Sequence, residues 1–188
     1  GGVRTNAIWD IEAKGSLATT ANSTDLAISG RGMLPVTDIA ALGAGTAILV
    51  VVAMAATIVS GVLLDHLFGR DDPFGALAGA ATAVCGASAA LATASVLPKT
   101  ESRDADTVFT VVAVNFLSTV AMLAYPPLAA AMGLDGLHTG ILLGATIHDV
   151  AQVVGAGYGV SETAGNTAVV VKLFRVFLLL PVVIGIGW

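Results

Sequence analysis

Long apolar stretches separated by short polar ones dominate the chain after its first 30 residues. No Asp, Glu, Lys or Arg occurs in residues 39–64, 73–98 or 107–134. About 20 apolar residues in a helix cross the hydrocarbon core of a bilayer, so each of these runs is long enough to do so. None of them alternates apolar and polar residues as a half-buried strand would. The pattern therefore predicts helices within a membrane.

The polar stretches divide this part of the chain into helical segments. Charged residues interrupt every apolar run in residues 1–30, which we interpret as a polar, non-spanning leader before a membrane domain at 31–188. We predict an all-α polytopic membrane protein of about five transmembrane helices, some of them interrupted. The predicted segments, one to five, cover residues 38–64, 74–97, 105–132, 136–158 and 167–188. If segment two crosses completely, Arg70 lies alone on one face of the membrane. The other face, which would be cytoplasmic, then carries the leader and the loop between segments two and three, with Arg4, Lys14, Arg31, Lys99 and Arg103.

Composition supports a membrane protein and excludes other classes. The chain is 56% hydrophobic and 11% charged, whereas soluble domains contain about 25% charged residues. The net charge of −5 and the lack of a basic tract argue against a nucleic acid partner. A single cysteine, Cys85, excludes an intrachain disulfide.

Segment two is rich in small residues. Gly75 and Gly79 form a G-x-x-x-G pair, and Gly86 falls on the same face of a continuous helix. Small residues let helices approach closely in lipid, so one interpretation is a tightly packed helix without a ligand. The other interpretation is a helix break at residues 85–88, whose freed N–H groups face a cavity.

Segment four carries an ionisable pair, His148 and Asp149, within an apolar stretch. Such groups are costly at membrane depth and usually functional. Gly140, Gly144, His148 and Gln152 are spaced four apart, which predicts that they share one face of a helix. The simpler alternative is a histidine whose ring bonds to a backbone carbonyl on a neighbouring helix.

Segment five contains Lys172 and Arg175, three residues apart and therefore on one face. Both side chains are close enough to a helix end to reach the membrane surface. Alternatively, one of them pairs with Asp149, or both attract an anion. The sequence leaves these readings open.

Four stretches resemble motifs of the sulfate exporter family, a group of conserved hypothetical bacterial inner-membrane proteins. The similarity extends over about residues 33–188. The stretches are Thr37-Asp38-Ile-Ala-Ala-Leu-Gly, Ala83-Val-Cys85-Gly86-Ala87-Ser88-Ala, Gly144-Ala-Thr-Ile-His148-Asp149-Val-Ala-Gln152-Val-Val-Gly-Ala-Gly and Val171-Lys172-Leu-Phe-Arg175-Val.

The resemblance implies a multi-pass secondary transporter with inverted repeats and interrupted helices that exports sulfate or a related oxyanion. It implies site roles for Cys85, Gly86, Ala87, Ser88, His148, Asp149, Gln152, Lys172 and Arg175. Family members carry apolar helices where this chain has residues 1–30, and they continue beyond Trp188. We therefore expect a partial transporter.

In the anion transporter hypothesis, N–H groups at a helix break bind the substrate. Ser88 and Thr146 add hydroxyl donors, and Lys172 or Arg175 supplies counter-charge. Proton coupling suits His148, because an unperturbed histidine has a pKa near 6.5 and small shifts change its charge. Asp149 orients this ring or binds a coupling cation such as sodium.

Three alternatives stay open. The first is a cation/proton antiporter with Asp149 as ion ligand. The second is an intramembrane metal-dependent enzyme, which would need about three ligands where only His148 with Asp149 or Cys85 is available. The third is a non-functional fragment. We predict a transporter rather than an enzyme, with no cofactor or bound metal, and the sequence leaves a homo-oligomer open.

Overall fold

The computed structural model describes residues 43–70 and 73–188, and the regular structure within them is α-helical. The predicted all-α class is confirmed for this part of the chain, whereas the predicted leader at residues 1–30 lies outside the described residues. The helices are α1 (Gly43–Leu67), α2 (Phe74–Ala83), α3 (Ala87–Val96), α4 (Arg103–Ala131), α5 (Gly136–Thr146), α6 (Val150–Val160), α7 (Glu162–Phe177) and α8 (Leu179–Gly187).

Three stretches of helix are long and apolar enough to cross a membrane. They are α1, α4 and the pair α7–α8, which together extend over 26 residues with a turn at Leu178. At 1.5 Å per residue, 26 residues reach about 39 Å, more than the roughly 30 Å of a bilayer core. Segments one, three and five of the sequence therefore form long helices, as predicted.

Segment two is interrupted, and its two halves fold back on each other. The Phe74 ring at the start of α2 lies 6.3 Å from the Phe109 ring near the start of α4. Arg70, just before α2, lies 3.6 Å from the Asp106 carboxylate. Because α3 leads directly into α4, both ends of this hairpin lie at one end of the bundle, which we call the Arg70 end. Segment two therefore does not run straight through.

Segment four forms a second hairpin from the opposite end. A Cβ built on Gly136, at the start of α5, would lie 3.2 Å from Ser161 Oγ. A Cβ on Gly157, near the end of α6, would lie 2.9 Å from the Cα of Gly165. The outer ends of α5 and α6 thus both contact the first turns of α7. We call this end, where α4 stops, the Asp135 end.

The break in segment four corrects the predicted helical face. Helix α5 ends at Thr146 and α6 begins at Val150, so Gly140 and Gly144 do not share a continuous row with His148 and Gln152. The close packing expected of the two glycines is nevertheless present. A Cβ on Gly144 would lie 2.5 Å from the carbonyl oxygen of Ala168 in α7.

The two hairpins follow the same plan in opposite directions. Helix α1 runs towards the Arg70 end and is followed by the α2–α3 hairpin, whereas α4 runs towards the Asp135 end and is followed by the α5–α6 hairpin. Helix α5 begins 62 residues after α2, and α6 begins 63 residues after α3. Each long helix with its hairpin is therefore one unit, and the two units are inverted relative to each other.

The doubling back also corrects the predicted charge distribution. Arg70, Lys99 in the loop after α3 and Arg103 at the start of α4 lie at the same end of the bundle, not at opposite ends. The prediction is wrong because it depended on segment two crossing completely. The outer parts of α1 and α2 pack closely at this end, since a Cβ on Gly61 would lie 2.7 Å from the carbonyl oxygen of Gly75.

Candidate functional site

The tip of the first hairpin is a sharp turn at residues 84–86, which agrees with the helix break, one of the two interpretations of this segment. Gly86 has a φ of 68°, a left-handed conformation that favours glycine over any residue with a Cβ. Its N–H donates to the carbonyl of Ala81, and its own carbonyl accepts from Ala90. The turn thus ends α2 and starts α3 within three residues.

The tip of the second hairpin, residues 147–149, is anchored on the middle of α4. The buried hydroxyl oxygen of Ser118 accepts from the N–H groups of His148 and Asp149, at 3.2 and 3.1 Å. The Asp149 carboxylate accepts from the N–H of Gln152 at 3.1 Å and so caps the start of α6. The side-chain amide of Gln152 in turn donates to the hydroxyl of Thr119 at 3.0 Å.

The two tips lie against each other. A Cβ built on Gly86 would lie 3.6 Å from the His148 Cβ, and also 3.6 Å from a methyl group of Val114 in α4. Val114 and Ser118 are near the middle of α4, so both tips lie near the middle of a helix long enough to span a membrane. Segments two and four of the sequence therefore meet at this depth.

Lys172 joins the two tips from α7. Its Nζ donates to the carbonyl of Val84 at 2.7 Å and to the carbonyl of Ile147 at 3.0 Å. Each carbonyl lies where a hairpin turns, and so has lost its partner within the helix. A single ammonium therefore bonds one freed carbonyl from each hairpin.

Arg175 lies one turn further along α7 and bridges the same two tips. Its Nε donates to the carbonyl of Ala83 at 3.1 Å, and Nη1 donates to the carbonyl of Gly144 at 3.1 Å. Longer contacts of 3.4 Å reach the carbonyls of Ile147 and Thr82. The planar guanidinium suits this role because it presents five donors in a fixed fork. We call Lys172 and Arg175 the cation clamp.

The cation clamp excludes one of the readings left open by the sequence. Lys172 is 0% exposed and Arg175 is 3% exposed, so neither side chain reaches towards the membrane surface. Their positive charges lie at the carboxyl-terminal ends of α2 and α5, where the helix dipole is negative. Within the described residues, neither forms an ion pair with Asp149 or another carboxylate.

The amino-terminal ends of the two inner helices differ. Asp149 caps α6, whereas Gly86 at the start of α3 provides no side-chain hydrogen bond. The N–H groups of Ala87 and Ser88 therefore have no side-chain cap from Gly86, whereas the Cys85 thiol contacts the next N–H group, that of Ala89, and the exposed Ser88 side chain. An uncapped helix start carries partial positive charge and free donors, both of which favour an anion.

The structure brings most of the predicted site residues together at the tips. Thr146 and Gln152 have local partners, because the Thr146 hydroxyl donates to the carbonyl of Leu142 at 2.6 Å and Gln152 donates to Thr119. The residues at or beside the turns are Cys85, Gly86, Ala87, Ser88, His148, Asp149, Lys172 and Arg175. Whether each of them binds a substrate stays a prediction.

Sequence reasoning missed Ser118 as part of the site. The only available signal was a hydroxyl near the middle of a long charge-free run. It also missed the carbonyl groups of Val84 and Ile147, which no side-chain pattern reveals. Two buried atoms at the second tip, His148 Nδ1 and Gln152 Oε1, have no hydrogen-bond partner among the described residues.

Comparison with known proteins places the chain in a family. The model of a family described as conserved hypothetical protein 698 matches residues 26–188. The chain belongs to this family. This confirms the resemblance to a group of conserved membrane proteins.

Relatives of the chain are named as membrane proteins. A UPF0324 membrane protein of Chlorobaculum tepidum is 51% identical over 146 residues, which cover 78% of this chain and 41% of the relative. A UPF0324 membrane protein of Rhizobium meliloti is 53% identical over 143 residues, which cover 76% of this chain and 41% of the relative. The UPF0324 membrane protein TauZ of Paracoccus pantotrophus is 50% identical over 146 residues, which cover 78% of this chain and 43% of the relative.

The chain spans about two fifths of the length of these curated relatives. No solved structure matches it. With its three long apolar helices and relatives named as membrane proteins, the chain is a membrane protein.

Proposed function

We propose that the protein is a secondary transporter that moves sulfate or a related small oxyanion across the membrane, with the substrate bound beside the two hairpin tips. The observation that carries this proposal is the cation clamp. Lys172 and Arg175 are buried at mid-span without a carboxylate partner among the described residues.

Charge balance at the tips favours an anion. Burying a charge costs several kcal/mol unless it is compensated. Backbone carbonyls compensate only part of the charge of Lys172 and Arg175, since a carbonyl is a dipole without net charge. Asp149 contributes one negative charge nearby, which leaves the tips with a net positive charge. A bound oxyanion neutralises this excess and accepts from the uncapped start of α3.

The inverted arrangement of the two hairpins supports transport. Each hairpin enters from a different end of the bundle, and the tips meet in the middle. A site between them is reached from one end or the other when the corresponding hairpin shifts, which is the requirement for alternating access. Enzymes have no such need for inverted units.

For proton coupling we propose His148 and Asp149. Both belong to the second tip, and the buried Nδ1 of His148 has no hydrogen-bond partner in the described part of the chain. Protonation of the ring adds positive charge close to the substrate site and so couples anion affinity to pH. A sodium ion bound by Asp149 is the alternative coupling ion.

The orientation we propose follows the positive-inside rule for a bacterial inner membrane. Arg70, Lys99 and Arg103 lie at the Arg70 end, and no Lys or Arg lies in the described loops of the Asp135 end. The Arg70 end is therefore cytoplasmic, and export proceeds from the Arg70 end to the Asp135 end.

Flux measurements with the 188-residue chain in proteoliposomes test the proposal. We expect saturable uptake of labelled sulfate above protein-free liposomes, with a rate that changes under an imposed pH gradient. The Lys172→Met variant should lose most of this flux, whereas Lys99→Met, which changes an exposed loop residue, should keep it. Sodium-dependent proton movement without sulfate flux would favour the antiporter, and no flux of either ion would contradict a transporter formed by this chain.

The metal-dependent enzyme receives no support from the described residues. No group of three or more His, Cys, Asp or Glu side chains in them could hold a metal ion. Stoichiometric zinc in the purified protein, lost in a His148→Ala variant, would reopen that alternative.

A further inference from the structure

A groove lies between α3 and α4 on the side of the hairpin tips that faces the Arg70 end. Its volume is about 350 Å³, within the range of about 300–1,000 Å³ of small-molecule sites. It is lined by the outer half of α3 and the first turns of α4, and its lining includes Leu91, Ser95, Arg103, Asp104, Thr107 and Val108.

The face of α3 that lines the groove continues inward to the first hairpin tip. Ser95 and Leu91 lie on the same helical face as Ser88, because residues three, four and seven apart share a face. Ser88 is exposed and belongs to the first turn of α3. This face of α3 therefore leads from the groove to the first turn of α3, where the N–H groups of Ala87 and Ser88 lie.

The face of α4 continues to the same depth. Asp104 and Val108 are four apart, and Asn115 follows seven residues after Val108, so all three share one face. Asn115 is exposed and lies one residue from Val114, which contacts the first tip. The two helix faces that line the groove thus each carry a polar side chain further inward, at the level of the tips.

Exposed polar groups at this depth are unfavourable in lipid. Carboxamide and hydroxyl groups lose hydrogen bonds to water when they face hydrocarbon, which costs several kcal/mol each for amides. Polar residues in membrane helices therefore face a protein interior or a water-filled cavity. Ser88 and Asn115 lie on the same helix faces as the residues that line the groove, and the groove is open at its outer end.

The other side of the tips is closed by side-chain packing. Towards the Asp135 end, α4 and α6 bury Ala121, Val153 and Ala156 in one apolar cluster, against which Met122 and Tyr125 pack. Helices α4 and α6 meet in this cluster, and nearer the tips a hydrogen bond between Gln152 and Thr119 joins them. On the Arg70 side, α3 and α4 also pack through an apolar cluster that includes Ala90, Leu97 and Val114, and the groove lies beside this cluster.

We propose that the α3–α4 groove is a water-filled route by which a small hydrated oxyanion reaches the hairpin tips from the Arg70 end. The inference rests on the proposed function. The cations at the mouth are paired with carboxylates, because Arg103 lies 3.5 Å from Asp104 and Arg70 lies 3.6 Å from both Asp106 and Asp65. Ser95, Ser88 and Asn115 mark its outer and inner parts.

Cysteine accessibility tests the route. In a Cys85→Ala background, single cysteines replace Ser95, Ser88 or Asn115, and membranes are treated with a membrane-impermeant anionic methanethiosulfonate. Only an ionised thiol in water reacts readily. We expect all three variants to be modified more than about tenfold faster than Val52→Cys, whose side chain is 60% exposed on the apolar helix α1.

Two inner positions on different helices keep the test informative if one variant does not fold. Asn115→Cys and Ser88→Cys variants that elute as folded protein but react as slowly as Val52→Cys would overturn the route. The result is separate from the proposed function, because modification at both positions supports an aqueous route even if sulfate flux is absent. Slower modification in the presence of sulfate supports both the aqueous route and the proposed transport of sulfate.

Discussion

The Arg175→Met variant is expected to lower the free energy of unfolding of the detergent-solubilised protein by about 2–5 kcal/mol. The substitution leaves the buried carbonyls of Ala83 and Gly144 without a donor. Each buried polar group without a partner costs about 1–3 kcal/mol. Removing the guanidinium also removes the cost of burying its charge, which recovers part of the lost free energy. The carboxyl-terminal ends of α2 and α5 nevertheless lose their compensating charge. Thermal and denaturant unfolding monitored by size exclusion measure the change.

Two further variants separate charge from donor geometry. Arg175→Lys keeps the charge, but its compact ammonium cannot reproduce the fork that spans Ala83 and Gly144, so we expect partial recovery. Lys99→Met removes an exposed cation from the loop at the Arg70 end and should change stability by less than about 1 kcal/mol. If Arg175→Met proved as stable as Lys99→Met, the cation clamp would not hold the tips together.

The Ser118→Ala variant is expected to release the second hairpin tip. Its hydroxyl oxygen is the acceptor for the N–H groups of His148 and Asp149, and the side chain is 0% exposed. Loss of this acceptor leaves two half-buried N–H groups unsatisfied, at up to about 1–3 kcal/mol each. Hydrogen exchange of a peptide covering residues 147–152 should accelerate, and the protein should be less stable.

A serine on the exposed face of α1 provides the matched control. Ser60 donates to the carbonyl of Thr57 within its own helix, at 2.9 Å, so Ser60→Ala should change stability by no more than about 0.5 kcal/mol. Equal exchange at residues 147–152 in Ser118→Ala and Ser60→Ala would show that Ser118 does not anchor the tip.

The sequence predicted the helical segments well because their signal is local. Charge-free runs set the lengths of α1 and α4. The first break was one of two interpretations of residues 85–88, and the structure places Gly86 there with a φ of 68°, which favours glycine. The second break has no glycine or proline at its turn. It forms because Ser118 and Arg175, distant in sequence, bond the groups that the helix releases.

The course of the two hairpins could not be predicted. Residues 74–96 and 136–160 are each about as long as one membrane crossing, so length alone cannot distinguish a straight helix from two antiparallel halves. The partners of the cation clamp could not be predicted either. Lys172 and Arg175 bond backbone carbonyls, which every residue carries, so the residue types give no indication of the partners.

A disulfide between the tips tests the central claim, that two hairpins from opposite ends meet at mid-span. In a Cys85→Ala background, Gly86→Cys and His148→Cys place two Cβ atoms about 3.6 Å apart, within the range of roughly 3.5–4.5 Å found in disulfides. We predict that mild oxidation protects both thiols from a maleimide gel-shift reagent, while Gly86→Cys combined with Gly159→Cys stays reactive. Two thiols that remain free in the folded Gly86→Cys/His148→Cys protein would contradict the meeting of the tips.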